Sequence, residues 1–155
     1  LTDTAPPSAL RRPLASALLV VLAACSNVAQ AASYTMYRDP GCGCCEQWAA
    51  HVERDMDAQV AAVDSTDMAA LKAERGVPRG LSSCHTMVVD GYVIEGHVPA
   101  EAIARLLRER PVGVAGLAVP GMPLGSPGME ADGRRQAYDV FAFGPGGQRV
   151  FASYP

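Results

Sequence analysis

Apolar and polar positions divide this chain into short strands alternating with amphipathic helices. Ser33 to Tyr37 carries β-forming residues with a modest alternation and predicts a first strand, ended by Asp39-Pro40-Gly41. Trp48, Val52 and Met56, spaced by four, give one apolar face to a helix from about Cys44 to Asp55, while Glu46, Glu53, Arg54 and Asp55 mostly fall elsewhere. Gln59 to Val63 reads as a second strand. Asp64-Ser65-Thr66-Asp67 offers N-cap chemistry to a helix through Arg75, which Gly76 and Pro78 stop. Thr86–Val89 and Tyr92–Glu95 flank Asp90-Gly91, a type I′ turn signal, and predict a hairpin. A third helix runs from about Pro99, suited to its first position, to Arg110. Its core face is Ile103, Leu106 and Leu107, its C-terminal cations are Arg105, Arg108 and Arg110, and Pro111 closes it.

The resulting order, β-α-β-α-β-β-α, is that of the thioredoxin-like α/β fold. From Val112 to Glu130 the chain reads as a Gly/Pro-rich loop. Within it Pro120-Gly121-Met122 and Pro127-Gly128-Met129 repeat one tripeptide seven residues apart. Ala137 to Phe143 and Arg149 to Tyr154 flank Gly144-Pro145-Gly146-Gly147 and predict an extra C-terminal β-hairpin, which extends the sheet or covers an edge.

The N-terminus has a different character. Arg11 and Arg12 precede an uncharged apolar run, Leu14 to Ala24, too short to span a bilayer, and Ala29-Gln30-Ala31 suits cleavage before Ala32. A competing reading takes Leu22-Ala23-Ala24-Cys25 as a lipobox, with Cys25 lipidated and the protein held at a membrane. Residues 1–31 are therefore expected to be a signal peptide, cleavable or of lipoprotein type, and residues 32–155 a single thioredoxin-like metal-binding domain. With 49% apolar and 19% charged residues, the chain can form a packed core. Residues 32–155 hold 11 Lys and Arg against 15 Asp and Glu, a net charge of −4 without a basic stripe, which argues against nucleic acid as a partner.

Export bears on the cysteines outside that segment, Cys42, Cys44, Cys45 and Cys84. Disulfide staples are the usual reading in an oxidising compartment. Bridging Cys44 to its neighbour Cys45, or Cys42 to Cys44, would be strained, and pairing Cys84 with one of the three leaves two thiols crowded together. The cluster therefore reads as a site. Cys42-Gly43-Cys44-Cys45 lies between the first strand and first helix, where thioredoxin-like proteins carry Cys-x-x-Cys and where free N–H groups and the helix dipole favour a thiolate. In that layout Ser83-Cys84-His85-Thr86 packs against the turn, with His85 standing where thioredoxins carry a proline. Adjacent strand residues point to opposite faces, so Cys84 and His85 share the site only if the backbone bends. Thiolates, with thioethers from Met122 and Met129, select Cu(I) over zinc. Adjacent thiolates on Cys44 and Cys45 suit bridging of neighbouring ions, hence a polynuclear site. His51 lies seven residues, about 10 Å, along the helix from Cys44, too far to share an ion. It is expected to be partly exposed. Trp48, Met36, Met56, Met68 and Met87 are expected in the core.

Together, Gly41-Cys42-Gly43-Cys44-Cys45, Ser83-Cys84-His85-Thr86, Gly96-His97-Val98-Pro99 and Gly116-Leu117-Ala118-Val119-Pro120-Gly121-Met122-Pro123 resemble the CopG-type copper-resistance family, a metal-binding domain-of-unknown-function family with a thioredoxin-like fold. The resemblance spans about Tyr34 to Met129 and runs on towards Pro155. It implies a periplasmic copper-binding protein serving copper resistance, one that changes copper's oxidation state. It also draws His97, which otherwise could cap the third helix, into the metal set of Cys42, Cys44, Cys45, Cys84, His85, Met122 and Met129.

The leading expectation is thus a copper protein of the cell envelope that buffers, passes on or oxidises and reduces copper, with other periplasmic copper-handling proteins as partners. A thiol-disulfide oxidoreductase using Cys42 and Cys45 is the alternative, against which Cys44 stands as a third thiol that would divert the mixed disulfide. A structural zinc module is the third reading.

Overall fold

The computed structural model describes Thr2 and residues 32–155. The expected targeting segment, the cleavage point expected before Ala32 and the lipidation expected at Cys25 concern residues outside the described ones.

The first strand, β1 (Ala32–Arg38), leads into helix α1 (Gly43–Met56), which returns the chain to β2 (Ala58–Asp64) alongside β1 in parallel. Cys42 is the N-cap of α1, and the Arg38 guanidinium donates to its carbonyl (3.1 Å) and to Glu46 (2.7 Å), tying the turn to the end of β1. Asp67 caps α2 (Met68–Glu74) by accepting from the Ala70 N–H at 2.9 Å, as the Asp64–Asp67 segment predicted. After a 3-10 turn at Arg79–Leu81 come β3 (His85–Val89) and β4 (Tyr92–Glu95). Their connection has positive φ at both Asp90 and Gly91, the type I′ signature. Helix α3 covers Ala100–Glu109, with Pro99 as its N-cap and not its first residue.

One strand departs from expectation. Gly116–Ala118, read as loop, forms β5, parallel to β4. Gly116 permits this approach, because a Cβ there would run into the Val93 carbonyl and the Phe143 ring. Three residues inside a Gly/Pro-rich stretch are too few to show a period. The C-terminal hairpin, β6 (Tyr138–Gly144) and β7 (Gly147–Tyr154), extends the sheet, with a bulge at Val140/Phe141. The full sheet runs β2-β1-β3-β4-β5-β6-β7, an α/β thioredoxin-like arrangement lengthened by extra strands.

Alternation along the strands divides two cores. Met36, Met87, Ile94 and Leu117 point to the face that receives Trp48 and Val52 of α1 and Ile103 and Leu106 of α3. Val93, Ala118 and Phe143 point to the other, beneath Val77 and Leu81. Met36, Met87 and Met68 are buried and Met56 partly so, as expected. Among the described residues no helix is long and apolar enough to cross a membrane.

Trp48 joins the first core to the N-terminal end of α3. It is fully buried, and its indole N–H donates to the Val98 carbonyl at 2.9 Å. Trp48→Ala is expected to cost about 3–5 kcal/mol, from lost burial and the cavity left behind. Urea unfolding followed by circular dichroism, with the disulfide intact, measures it.

Candidate metal centre

Three segments converge at the end of the sheet where β1 gives way to α1. The Cys42 turn supplies three sulfurs, the chain entering β3 supplies Cys84 and His85, and the turn before α3 supplies His97. The ligand atoms of Cys42, Cys44, Cys45 and Cys84 all lie within 4.8 Å of one another, and so do those of Cys84, His85 and His97. Cys84 belongs to both groups.

Cys42 and Cys45 are joined as a disulfide, and Cys44 and Cys84 are free. This departs from the reading of all four as thiolates and against staples. The bridge joins residues three apart across the first turn of α1, with their Cα atoms 5.4 Å apart, a pairing distinct from the two shorter ones considered above. Cys44 Sγ stays 3.5 Å from Cys42 Sγ. Gly41 takes a left-handed φ of 75°, which the turn needs, whereas Gly43 is an ordinary first helical residue.

The bend on which a shared site depended is present. β3 starts at His85, so Cys84 sits before the ladder and turns its sulfur back to 3.3 Å from His85 Nδ1. Cys84 Sγ is also 3.0 Å from His97 Nε2. The other nitrogen of His97, Nδ1, lies 2.8 Å from the Pro127 carbonyl, which can only accept. That bond places the proton on Nδ1 and leaves the Nε2 lone pair facing the sulfur. His85 is fully buried, its ring 4.2 Å from that of Trp48 and 5.1 Å from that of His97. Its Nε2 has no hydrogen-bond partner among the described residues. A buried imidazole nitrogen without a partner is costly.

Burial pushes the Cys84 thiol up to about 12, and the neighbouring Cys44 adds to the rise. Burial also holds His85 well below its ordinary value, with His97 and Lys72 acting in the same direction. Burial lowers His97 too, against the opposite pull of the Pro127 carbonyl and Glu130. At neutral pH the metal-free pocket therefore holds a thiol and two neutral imidazoles. A metal held there would displace a proton from Cys84 but none from His97 Nε2.

The loop after β5 closes one side. A Cβ on Gly128 would lie 2.7 Å from both the Cys44 carbonyl and the Trp48 nitrogen, at a φ of +79°, so only glycine lets the loop pack this closely on α1. Glu130 fixes the loop further, accepting from His51 Nε2 (2.8 Å) and from the Gly128 N–H (3.1 Å). His51 is partly exposed, as expected, and its role as a loop anchor was not foreseen. Met129 is partly buried beside Gly128, whereas Met122 is 52% exposed on the turn after β5. Sequence reasoning also missed the Pro127 carbonyl, for which no side-chain signal exists. It missed the buried Lys72–Glu95 pair as well, although a glutamate ending the apolar run Tyr-Val-Ile-Glu was a signal of a buried charge.

Both histidines titrate more easily in the unfolded chain than in the folded one. As pH falls below about 6.5, the unfolded state takes up protons that the folded state refuses, so stability declines. The slope is at most about 1.4 kcal/mol per pH unit for each histidine, until its folded-state pKa is reached. Urea unfolding of metal-free protein at about pH 7.5, 6.5 and 5.5 is expected to show this decline, and His97→Gln to reduce it.

A family profile described as "Protein of unknown function, DUF411" matches residues 81–129, which hold Cys84, His85, His97 and the loop to Met129. No curated protein matches. Two solved structures are similar along most of the chain, described as copper resistance protein CopG, form 2 and form 1. Each is 42% identical with a TM-score of 0.75, covering 81% of this chain and 100% and 99% of the respective solved chain. At this identity over the full length of those relatives, the chain belongs to the CopG copper-resistance family.

Proposed function

We propose that this is an exported, periplasmic copper-binding protein of copper resistance, which holds Cu(I) on cysteine sulfur and changes copper's oxidation state. The observation that carries the reading is the convergence of four cysteine sulfurs in one partly buried pocket, with Cys84 shared with two neutral imidazoles. Soft thiolates match Cu(I), and imidazole serves either oxidation state of copper. The name of the relatives, copper resistance protein CopG, supports the same metal.

Copper here is cargo or substrate. Full loading requires two electrons to open the Cys42–Cys45 disulfide, after which four thiols are available. Cys44 and Cys45, adjacent on the first turn of α1, are poised to bridge different ions, and this supports a polynuclear site. Met129, with the loop pinned on Cys44, and Met122 on the more exposed turn are the thioether candidates. The Pro127 carbonyl presents His97 through Nε2, which is how a protein orients a ligand imidazole.

A second reading is favoured by the disulfide itself. Cys42 and Cys45 bridge the N-terminus of α1, the position used in thiol-disulfide exchange. In that chemistry an external thiolate attacks one sulfur of the bridge and the other leaves as a thiolate. Cys44, 3.5 Å from Cys42, competes for the mixed disulfide.

One experiment separates these readings. Protein reduced without oxygen is offered Cu(I) and Zn(II) against competing chelators, with metal per chain measured by elemental analysis. More than one Cu(I) per chain is expected, taken in preference to zinc and lost when Cys42, Cys44, Cys45 or Cys84 becomes serine. A single copper would remove the polynuclear site. Zinc preference or no retained metal, together with rapid insulin reduction by the metal-free protein, would replace the copper reading with disulfide exchange.

A further inference from the structure

Behind the pocket, on the opposite face of the sheet from His85, lies a buried charged group that the copper chemistry above does not use. Glu95 ends β4 with no exposed surface and stands directly across from Thr86 in the ladder. Its Oε1 accepts from Lys72 Nζ and from the Ser83 backbone N–H, both at 2.6 Å, and its Oε2 accepts from the Thr86 hydroxyl at 2.6 Å. Lys72 Nζ also donates to the Thr86 oxygen, at 3.0 Å.

The two anchored residues, Ser83 and Thr86, bracket Cys84-His85. One carboxylate therefore holds the chain on both sides of the dipeptide whose sulfur and imidazole face the pocket. The anchoring falls where it is most needed. Ser83 precedes the ladder, so its N–H has no strand partner, and the bend that turns Cys84 towards His85 starts there. Stability alone gives little reason for such a group, since a buried ion pair is often no better than apolar packing of the same volume. An apolar residue at 95 would, however, leave the Ser83 N–H unpaired and the bend unheld. Ser83 continues the chain of contacts outward by donating from its hydroxyl to the Gly121 carbonyl, which ties the bend to the loop after β5.

We propose that Glu95, itself oriented by Lys72, is the positioning residue of the metal centre: it fixes the Ser83–Thr86 bend and so sets where Cys84 and His85 present their ligand atoms. The metal half of this inference rests on the copper reading above; the placement of the Cys84 thiol does not.

The test is Glu95→Gln in the whole protein. The amide keeps the shape but has one acceptor oxygen, so its NH₂ must face either Thr86 or the Ser83 and Lys72 donors. Two readouts are taken on variants whose circular dichroism matches wild type. In the reduced protein, Cu(I) affinity measured by chelator competition is expected to fall about 10–100-fold, the range for loss of a partner that orients a ligand. In metal-free protein with the disulfide closed, iodoacetamide labelling read by peptide mass spectrometry is expected to quicken at Cys84 and stay unchanged at Cys44. A general loosening would raise both. Thr86→Val removes one anchor and leaves the ion pair intact. It is expected to move both readouts the same way by a smaller factor, and it carries the test if the glutamine variant does not fold.

Wild-type affinity together with wild-type Cys84 labelling in a folded variant would overturn the assignment. So would equal acceleration at Cys44 and Cys84. If wild-type protein retains no copper, the copper reading fails on its own, and selective labelling of Cys84 alone decides whether Glu95 positions the thiol.

Discussion

Two adjacent residues must face one point for this pocket to exist. In an extended chain, Cys84 and His85 would project from opposite sides of the sheet. They converge because β3 begins at His85, leaving Cys84 outside the ladder and free to fold its sulfur back over the imidazole. The ladder still holds the second residue: the Gly96 N–H donates to the His85 carbonyl at 2.9 Å. In front, the Trp48 ring packs against that of His85 at a tilt of 42°. The cysteine turn, the His97 turn and the covering loop all pack against this bend.

The electrostatics follow from the bend's burial. The pocket side is neutral at neutral pH, whereas the reverse side holds the Lys72–Glu95 ion pair, which adds no net charge. A low-dielectric pocket tolerates little accumulated charge. A monovalent cation that replaces one thiol proton leaves the charge of the pocket unchanged. A divalent ion leaves it unchanged only by displacing two thiol protons, as Cys44 and Cys84 together could supply. In either case the proton of Cys84 would be exchanged for the metal, so burial of the thiol in its protonated form does not oppose ligation by charge alone.

Much of the fold was legible because its elements are long enough to show a period or carry strong punctuation. Trp48, Val52 and Met56 marked α1, Asp67 marked the start of α2, and Asp90-Gly91 marked the hairpin. β5 was not legible, since three residues cannot display alternation and its pairing depends on the bare backbone of Gly116. The site was legible in its side chains and not in its backbone. The cysteines could be picked out by type and spacing, His85 by its place in the thioredoxin layout and His97 through the family resemblance, and the structure brings Cys42, Cys44, Cys45, Cys84, His85 and His97 together. Which cysteines pair depended on the first turn of α1 being in place. The Pro127 carbonyl leaves no trace in a sequence, and the Ser83 N–H reveals itself only through its partner Glu95.

The repeated Pro-Gly-Met tripeptide shows how much the fold adds to spacing. Its two copies have identical residues and different surroundings. A Cβ on Gly121 would meet nothing within 4 Å, and Met122 beside it is 52% exposed, so the first copy is an open surface turn. Gly128 is pressed onto the Cys44 carbonyl and the Trp48 nitrogen, Pro127 gives its carbonyl to His97, and Glu130 anchors the far side to His51. The second copy is thus built into the wall of the pocket. Equal sequence therefore does not make the two thioethers equal. Met129 is attached to backbone already fixed against the cysteine turn, so it has little beyond side-chain rotamers left to lose. Met122 would have to give up the freedom of an exposed side chain, a larger entropic cost for the same bond, although its turn is tied to the Cys84 bend through the Gly121 carbonyl and the Ser83 hydroxyl.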